Sequence, residues 1–391
     1  METLDCELSI IGGGIAGPAL AAALADTGER IVLIERSAEP LDTARGDHLQ
    51  PVTCEFLERW GVLDMLLARG AERRLGARWQ TAAGASVLPV RVDDLPIPHP
   101  YFLYLQHELI SEVLLARAAQ NPGFTLLRPG TARVVRDAVA PGQHGVEVEQ
   151  PDQRINVQPR CIAIADGRAS RNRKALGIDA RSHHYDNPLL VLFAPRTFDD
   201  PRNDVQVYLT SLGIISVVPR AGGQWKIGFP VPRAALNDWT KATSAELGRR
   251  LAELVPALTG IAPIVAGVYP VAMVNAERWT DGNAVLLGDA CHALHPGQSQ
   301  GMNVALRSVA SLAERLRGGV PAAGTAVATL LSEFEAEHRP PIDARLEANH
   351  QRGLQMDNMD AAGVERTRAA LSAVAADPEK MHAYCMNAAG Y

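Results

Sequence analysis

The stretch that decides the fold is LSIIGGGIAGPALAAALADTGERIVLIER, residues 8–36. Leu8 to Ile11 read as a short buried strand. Gly12, Gly14 and Gly17 follow in the spacing G-x-G-x-x-G, with Ile15 and Ala16 between the last two. The first glycine permits a tight turn, the second lets backbone approach a pyrophosphate, and the third lets helix pack closely on sheet. A helix with Leu20, Ala23 and Leu24 on one side comes next and is expected to end near Gly28. Its N-terminus offers unpaired N–H groups and partial positive charge to a phosphate. Ile31 to Ile34 form a second strand, closed by Glu35 and Arg36. A carboxylate there bonds both ribose hydroxyls of an adenosine and repels a 2′-phosphate, so the motif selects FAD or NAD over NADP. It does not choose between those two.

The rest of the chain narrows the class. Of 391 residues, 47% are apolar and 21% charged, which suits a globular protein of two to three domains. A net charge of -6 argues against nucleic acid as the main partner. No run is long and apolar enough for a membrane span, and the first residues carry no signal-peptide pattern, so a cytoplasmic protein is expected. The five scattered cysteines contain no C-x-x-C and read as reduced, buried thiols.

Two further strand-and-turn motifs follow. CIAIADGRASRNR, residues 161–173, is a strand ending in Asp166-Gly167. AVLLGDACHALHPGQSQGMNVALRSVASLAERL, residues 284–316, is a strand ending in Gly288-Asp289, a Pro/Gly-rich loop, and a helix with Ala305, Val309, Leu312 and Leu316 at helical spacing. In this order, over residues 5 to about 317, the chain resembles the single-component FAD-dependent aromatic hydroxylases related to p-hydroxybenzoate hydroxylase. The resemblance also rests on an Arg45 segment and the helix YLQHELISEVLLARA.

That resemblance implies a fold and a set of roles. The fold is α/β: a Rossmann-like FAD-binding domain with a parallel sheet, interwoven with a mixed β-sheet substrate domain and followed by a C-terminal helical segment. The FAD domain is expected over residues 1–74, 106–180 and 276–324, the substrate sheet over 75–105 and 181–275, and helices over 325–391. FAD would be held by Gly12, Gly14, Ile15, Ala16, Gly17, Glu35 and Arg36, with Arg45 and Gln106 on its pyrophosphate and ribityl part. Asp166 would serve FAD and NAD(P)H, and Asp289 the ribityl chain. Pro296, Gly301, Met302 and Asn303 would lie along the flavin ring, where the helix beginning near Met302 aims its amides at the reduced flavin's negative charge. Taken alone, Asp166 reads as a turn residue and Asp289 as a helix cap.

The implied activity is hydroxylation of a phenolic or heteroaromatic small molecule through a flavin C4a-hydroperoxide, with NADH or NADPH as a passing electron donor and O2 as co-substrate. The alternatives are a same-fold flavin reductase or dehydrogenase, a flavin-dependent halogenase, and a non-catalytic FAD-fold protein. Against the halogenase, GIISVVP at residues 213–219 lacks that family's tryptophans. A monomer or homodimer is expected.

Some residues depart from the pattern or stay open. Ser299 replaces a loop glycine and fits only if φ tolerates a Cβ. Arg307-Ser308 stands where an acidic residue usually precedes a small one. His48 is read as structural rather than bonded to flavin, and His292 with His295 as lacking the partners of a metal site. No catalytic dyad stands out; Pro296, His183 and Tyr208 are the candidates. Tyr101, Phe102, Tyr104, Phe193, Tyr208 and Trp225 are candidates to line a substrate pocket, against plain core packing. His183, His184 and Tyr185 form either a proton relay or, preferably, a solvated loop. Residues 53–68 read as one amphipathic helix.

Overall fold

The computed structural model describes residues 2–39, 48–196, 203–220, 222–322, 324–357 and 359–391. Among these, the strands form sheets of eight, seven, three and three strands.

The eight-stranded sheet is built around β1 (Glu2–Ile11), longer than the apolar run alone suggests. Its polar first half is the reason: it still pairs with the strand Arg154–Ile164, from Glu2 opposite Ile155 to Ile11 opposite Ile164. β2 (Ile31–Ile34) lies on the other side of β1, and Phe124–Leu127 beyond β2. Ala284–Leu286 extends the sheet past Arg154–Ile164. All four pairings are parallel. A parallel sheet covered on both faces needs continuous apolar strands, and Leu8, Ile10, Ile31, Leu33, Ile162 and Ile164 are fully buried.

Two helix boundaries differ from expectation. α1 (Ala16–Ala23) stops well before Gly28, and left-handed Gly28, at φ +73°, turns the chain into β2. The expected helix over 53–68 is two helices, α2 (Pro51–Arg59) and Leu63–Ala68, because Gly61 sits at φ +70° between them.

The seven-stranded sheet runs Ile264–Tyr269, Leu189–Pro195, Gln224–Pro230, Gly213–Arg220, Val205–Thr210, Gly76–Thr81, Ser86–Arg91. Its two faces have different neighbours, because side chains alternate along a strand. The outer face places Tyr208, Ile215, Trp225, Ile227 and Phe229 against Trp239, Leu247 and Leu251. The helix carrying Leu247 and Leu251, Ser244–Leu254, starts at a capping box of Thr243 and Glu246. Tyr208 and Trp225 are thus core residues of the outer layer, which corrects their reading as pocket-lining or catalytic candidates. The inner face carries Val207, Leu209 and Ile214, packed against Met356 and Met359.

His183 and His184 are not in a solvated loop. They end the strand Ala180–His184, which pairs antiparallel with Ala272–Ala276. Phe102–Tyr104 pairs with His48–Leu49 and Glu72–Arg74 rather than with the seven-stranded sheet. Residues beyond 324 are helical: Gly324–Asp357, Ala361–Ala375 and Pro378–Ala389. The first buries Val327, Leu331, Phe334, Ile342 and Leu346 in the same core as β1 and β2. No helix among the described residues is long and apolar enough to cross a membrane.

Candidate active site

The glycine loop is packed to its limit on three sides and open on one. Gly12 has φ +114°, and a Cβ there would lie 2.3 Å from the Ala165 carbonyl oxygen. A Cβ on Gly17 would lie 2.0 Å from the Gly12 carbonyl oxygen. A Cβ on Gly14 would meet nothing within 4 Å. So Gly12 and Gly17 serve the loop's own packing, and Gly14 faces the space a pyrophosphate would enter. Ile15, at the N-cap of α1, gives no side-chain cap, which leaves first-turn amides for a ligand. Glu35 closes the cradle: its carboxylate accepts from Gly13 N at 2.6 Å and Ser37 N at 2.7 Å. Arg36 is exposed beside it. Ser111 Oγ, unforeseen from the sequence, donates to the Gly13 carbonyl at 3.0 Å. These features fit a dinucleotide.

The two Asp motifs are joined to each other. Asp166 accepts from Asn172 Nδ2 at 2.9 Å, and its other carboxylate oxygen is buried without a hydrogen-bond partner. A buried acceptor of this kind is costly until a donor reaches it, which again fits a ligand hydroxyl or amide. Arg173 donates to the Ala290 carbonyl at 2.7 Å and so ties this segment to the turn Gly288–Ala290. Asp289 is exposed on that turn. Asn172 and Arg173 lie inside the quoted motif, yet their roles were not read from it, since the partners they reach are distant in sequence.

The Pro296 loop makes a short 3-10 turn, Pro296–Gln298, then passes through Ser299 at φ +52°. Ser299 therefore occupies the left-handed region that the family's glycine suits, at some cost in strain. Helix Gly301–Leu316 begins immediately, with no side-chain cap from Gln300. Pro296 is exposed, and Gly301 and Met302 are half-buried. Asn303 is different. Its side chain accepts from Gln50 N at 2.8 Å and Thr53 Oγ1 at 2.9 Å, and donates to the carbonyls of His48 and Ser299 at 3.0 and 3.1 Å. The side-chain amide is committed to protein: it fastens this loop to the start of α2. Gln106 is half-buried at the N-cap of the helix His107–Ala118. Arg45 lies outside the described residues.

Aromatic rings also meet cations and histidines. Tyr104 OH is 2.6 Å from His48 Nδ1 and lies under Arg74, Tyr101 lies under Arg73, and Phe193 under Arg220. The His48 ring packs on Phe102 at 4.7 Å. Tyr185 packs edge-on against His295 and His183, and its hydroxyl is 2.8 Å from His350 Nδ1. Burial, then Asp357 and Glu347, push the Tyr185 phenol up to about 12, so it stays protonated beside His350. Gly353 makes this approach possible, since a Cβ there would sit 2.8 Å from Tyr185 OH. His292 and His295 face different partners, Ser308 Oγ at 3.1 Å and Tyr185. His350 and Gly353 lie on a helix with no local signal of a role in the site.

Four histidines, His338 on the helix Gly324–Asp357 among them, set a pH response. Burial, the main cause in each case, pushes His48, His292, His295 and His338 down to about 4. Arg74 adds to this at His48. An unfolded imidazole takes its proton near 6.5, so between these values the unfolded chain binds more protons than the folded one. Stability is full above about pH 6.5 and falls as pH drops toward 4, by up to about 1.4 kcal/mol per pH unit per histidine. Urea unfolding at pH 7 and pH 5 checks this: the midpoint is expected to fall clearly, and an unchanged midpoint contradicts it.

Comparison with known proteins agrees with this geometry. The family model described as FAD binding domain matches residues 5–349. The chain is 29% identical over 347 residues to a ubiquinone hydroxylase of Rhodospirillum rubrum, covering 85% of this chain and 78% of that one. It is 29% identical over 353 residues to a 12-dehydrotetracycline 5-monooxygenase/anhydrotetracycline 6-monooxygenase of Streptomyces rimosus, covering 85% and 66%. The fold matches a p-nitrophenol 4-monooxygenase from Pseudomonas putida with a TM-score of 0.83 at 21% identity, covering 99% of this chain and 98% of that one. The chain belongs to the FAD binding domain family and is an FAD-dependent monooxygenase.

Proposed function

We propose that this monooxygenase hydroxylates a phenolic or heteroaromatic small molecule at the junction of the two sheets, using O2 and a passing NADH or NADPH. The observation that carries this is the meeting of a dinucleotide cradle with a second, uncapped helix start at Gly301, next to the inner face of the seven-stranded sheet. FAD, when bound and reduced by the nicotinamide, would supply the chemistry for O2 activation and transfer of one oxygen atom to the substrate. The chain's residues bind, orient and shield. Gly12, Gly14, Ile15, Ala16 and Gly17 hold the pyrophosphate against α1, and Glu35 with Arg36 holds the adenosine end. Gln106, Asp166 and Asp289 would take the middle of the cofactor. Pro296, Gly301 and Met302 would line the ring, where the amides of helix Gly301–Leu316 would favour negative charge. Asn303 holds that helix start in place. The inner sheet face excludes water from the reacting centre. The five cysteines are buried and unpaired, in keeping with a reducing compartment such as the cytoplasm.

Oxygen uptake by FAD-saturated protein with NADH or NADPH, with and without a phenolic and quinolone-type panel, tests this. At least one compound is expected to accelerate uptake, with less peroxide formed than oxygen consumed. If no pyridine nucleotide reduces the bound flavin with any ligand, the hydroxylase reading fails.

A further inference from the structure

Asn349, on the helix Gly324–Asp357, is buried and reads three groups of the Pro296 loop at once. Its Oδ1 accepts from His295 N at 2.7 Å. Its Nδ2 donates to the His295 carbonyl at 3.1 Å and to Gln298 Oε1 at 3.2 Å. The two ends of an amide are told apart only by their partners, and here the partners decide. His295 N is a donor, so the atom beside it is oxygen. The other end is then NH2, which the His295 carbonyl confirms. The Gln298 atom facing that NH2 must be its oxygen, so the Gln298 NH2 faces away from the helix.

No described residue accepts from that NH2, and Gln298 is half-buried at the tip of the turn. The turn stands where the two layers meet. Met356, which would touch a Cβ on Gly297 at 2.5 Å, also packs on Val207, Leu209 and Ile214 of the inner sheet face. A fixed neutral donor at this junction suits an oxygen acceptor on a planar ligand. It can donate to a phenolate or, less strongly, to a ring carbonyl, and brings no charge of its own.

Resting on the hydroxylase reading, the geometry points to Gln298 as a specificity-determining residue whose side-chain NH2 binds an aromatic substrate through a phenolate or ring-carbonyl oxygen, with Asn349 as the positioning residue that fixes which end of the amide is presented. Gln298→Glu offers only acceptors. Asn349→Asp keeps the acceptor for His295 N but loses the donor to both the His295 carbonyl and Gln298, so the Gln298 amide turns its NH2 inward and its oxygen outward.

The probes are phenol and 4-quinolone, each paired with its O-methyl ether, and the readout is the dissociation constant from the flavin difference spectrum of the holoenzyme. In the wild type the oxygen acceptors bind more tightly than their ethers. Both variants are expected to lower that preference by about two- to ten-fold for the neutral 4-quinolone carbonyl and by up to about a hundred-fold for a phenolate, the ranges of one hydrogen bond to a neutral and to a charged acceptor. Gln298→Met, which cannot alter the fold through charge, is expected to lower it likewise. A side-chain amide resonance present in the wild type and lost in Gln298→Met is expected to shift when phenol is added. The proposal is overturned if acceptor and ether weaken together, if the preference is unchanged, or if the wild type binds none of the probes. The hydroxylase reading falls separately, if no pyridine nucleotide reduces the bound flavin with any ligand.

Discussion

Gly17→Ala is expected to yield little folded protein and no bound FAD, whereas Gly14→Ala is expected to fold normally and lose FAD. The two glycines belong to one motif but answer to different neighbours. At Gly17 the added methyl would sit 2.0 Å from the Gly12 carbonyl oxygen, and that oxygen belongs to backbone that cannot step aside. Gly12 is itself pressed against the Ala165 carbonyl, so relief at one point moves the clash to the next strand. Overpacking of this kind costs about 1–3 kcal/mol where side chains can shift, and more where they cannot. At Gly14 the methyl meets open space in the protein, so urea unfolding without FAD should match the wild type within about 0.5 kcal/mol. Its cost appears only when the pyrophosphate must come close, as a loss of FAD affinity of at least about a hundred-fold, or about 2.7 kcal/mol. Flavin fluorescence titration and urea unfolding separate the two variants. Equal behaviour of both would remove the distinction between a packing glycine and a ligand glycine.

Asn303→Leu is expected to destabilise the protein by about 3–5 kcal/mol, because it strands several buried groups at once. The Asn303 side chain is buried, and leucine of similar size offers neither donor nor acceptor to Gln50 N, Thr53, His48 or Ser299. Water cannot replace it without opening the contact between α2 and the helix Gly301–Leu316. Asn303→Asp keeps both acceptor bonds but loses both donor bonds, so an intermediate loss of about 1–3 kcal/mol is expected. Denaturant unfolding of the flavin-free protein is the decisive measurement. A loss of FAD affinity with unchanged stability would instead make Asn303 a direct flavin contact.

The glycine motif was legible because its demands are local. A positive φ at Gly12 and a close approach at Gly17 follow from a tight turn between strand and helix, and Glu35 from the end of the next strand. The Ser299 substitution was legible as a question, and its left-handed backbone gives the answer. Asn303 could be seen to matter but was read toward the cofactor, because nothing in GMN reveals a partner at Gln50. Tyr208 and Trp225 were read toward a pocket because alternation along a strand separates two faces without saying which is outer. That depends on Leu247 and Leu251, carried by a helix that follows later in the chain. The surroundings of Tyr185 were hidden for the same reason: His350 and Gly353 come from a helix far along the chain. What the sequence could not convey was mostly the identity of distant partners.

The parallel core pairing has a consequence for how the enzyme is made. Leu8 must find Cys161, and Ile162 must find Ala284, before the cradle has its full floor. Closing such long loops costs little extra equilibrium free energy, since the entropy grows only with the logarithm of length. It costs time, because parallel, non-local pairings form slowly and leave apolar strands exposed meanwhile. The proposed FAD site spans those late junctions and does not exist on the unfolded chain, so free FAD should draw the population toward the completed form. The yield of active enzyme from a producing cell should therefore follow the cell's flavin supply.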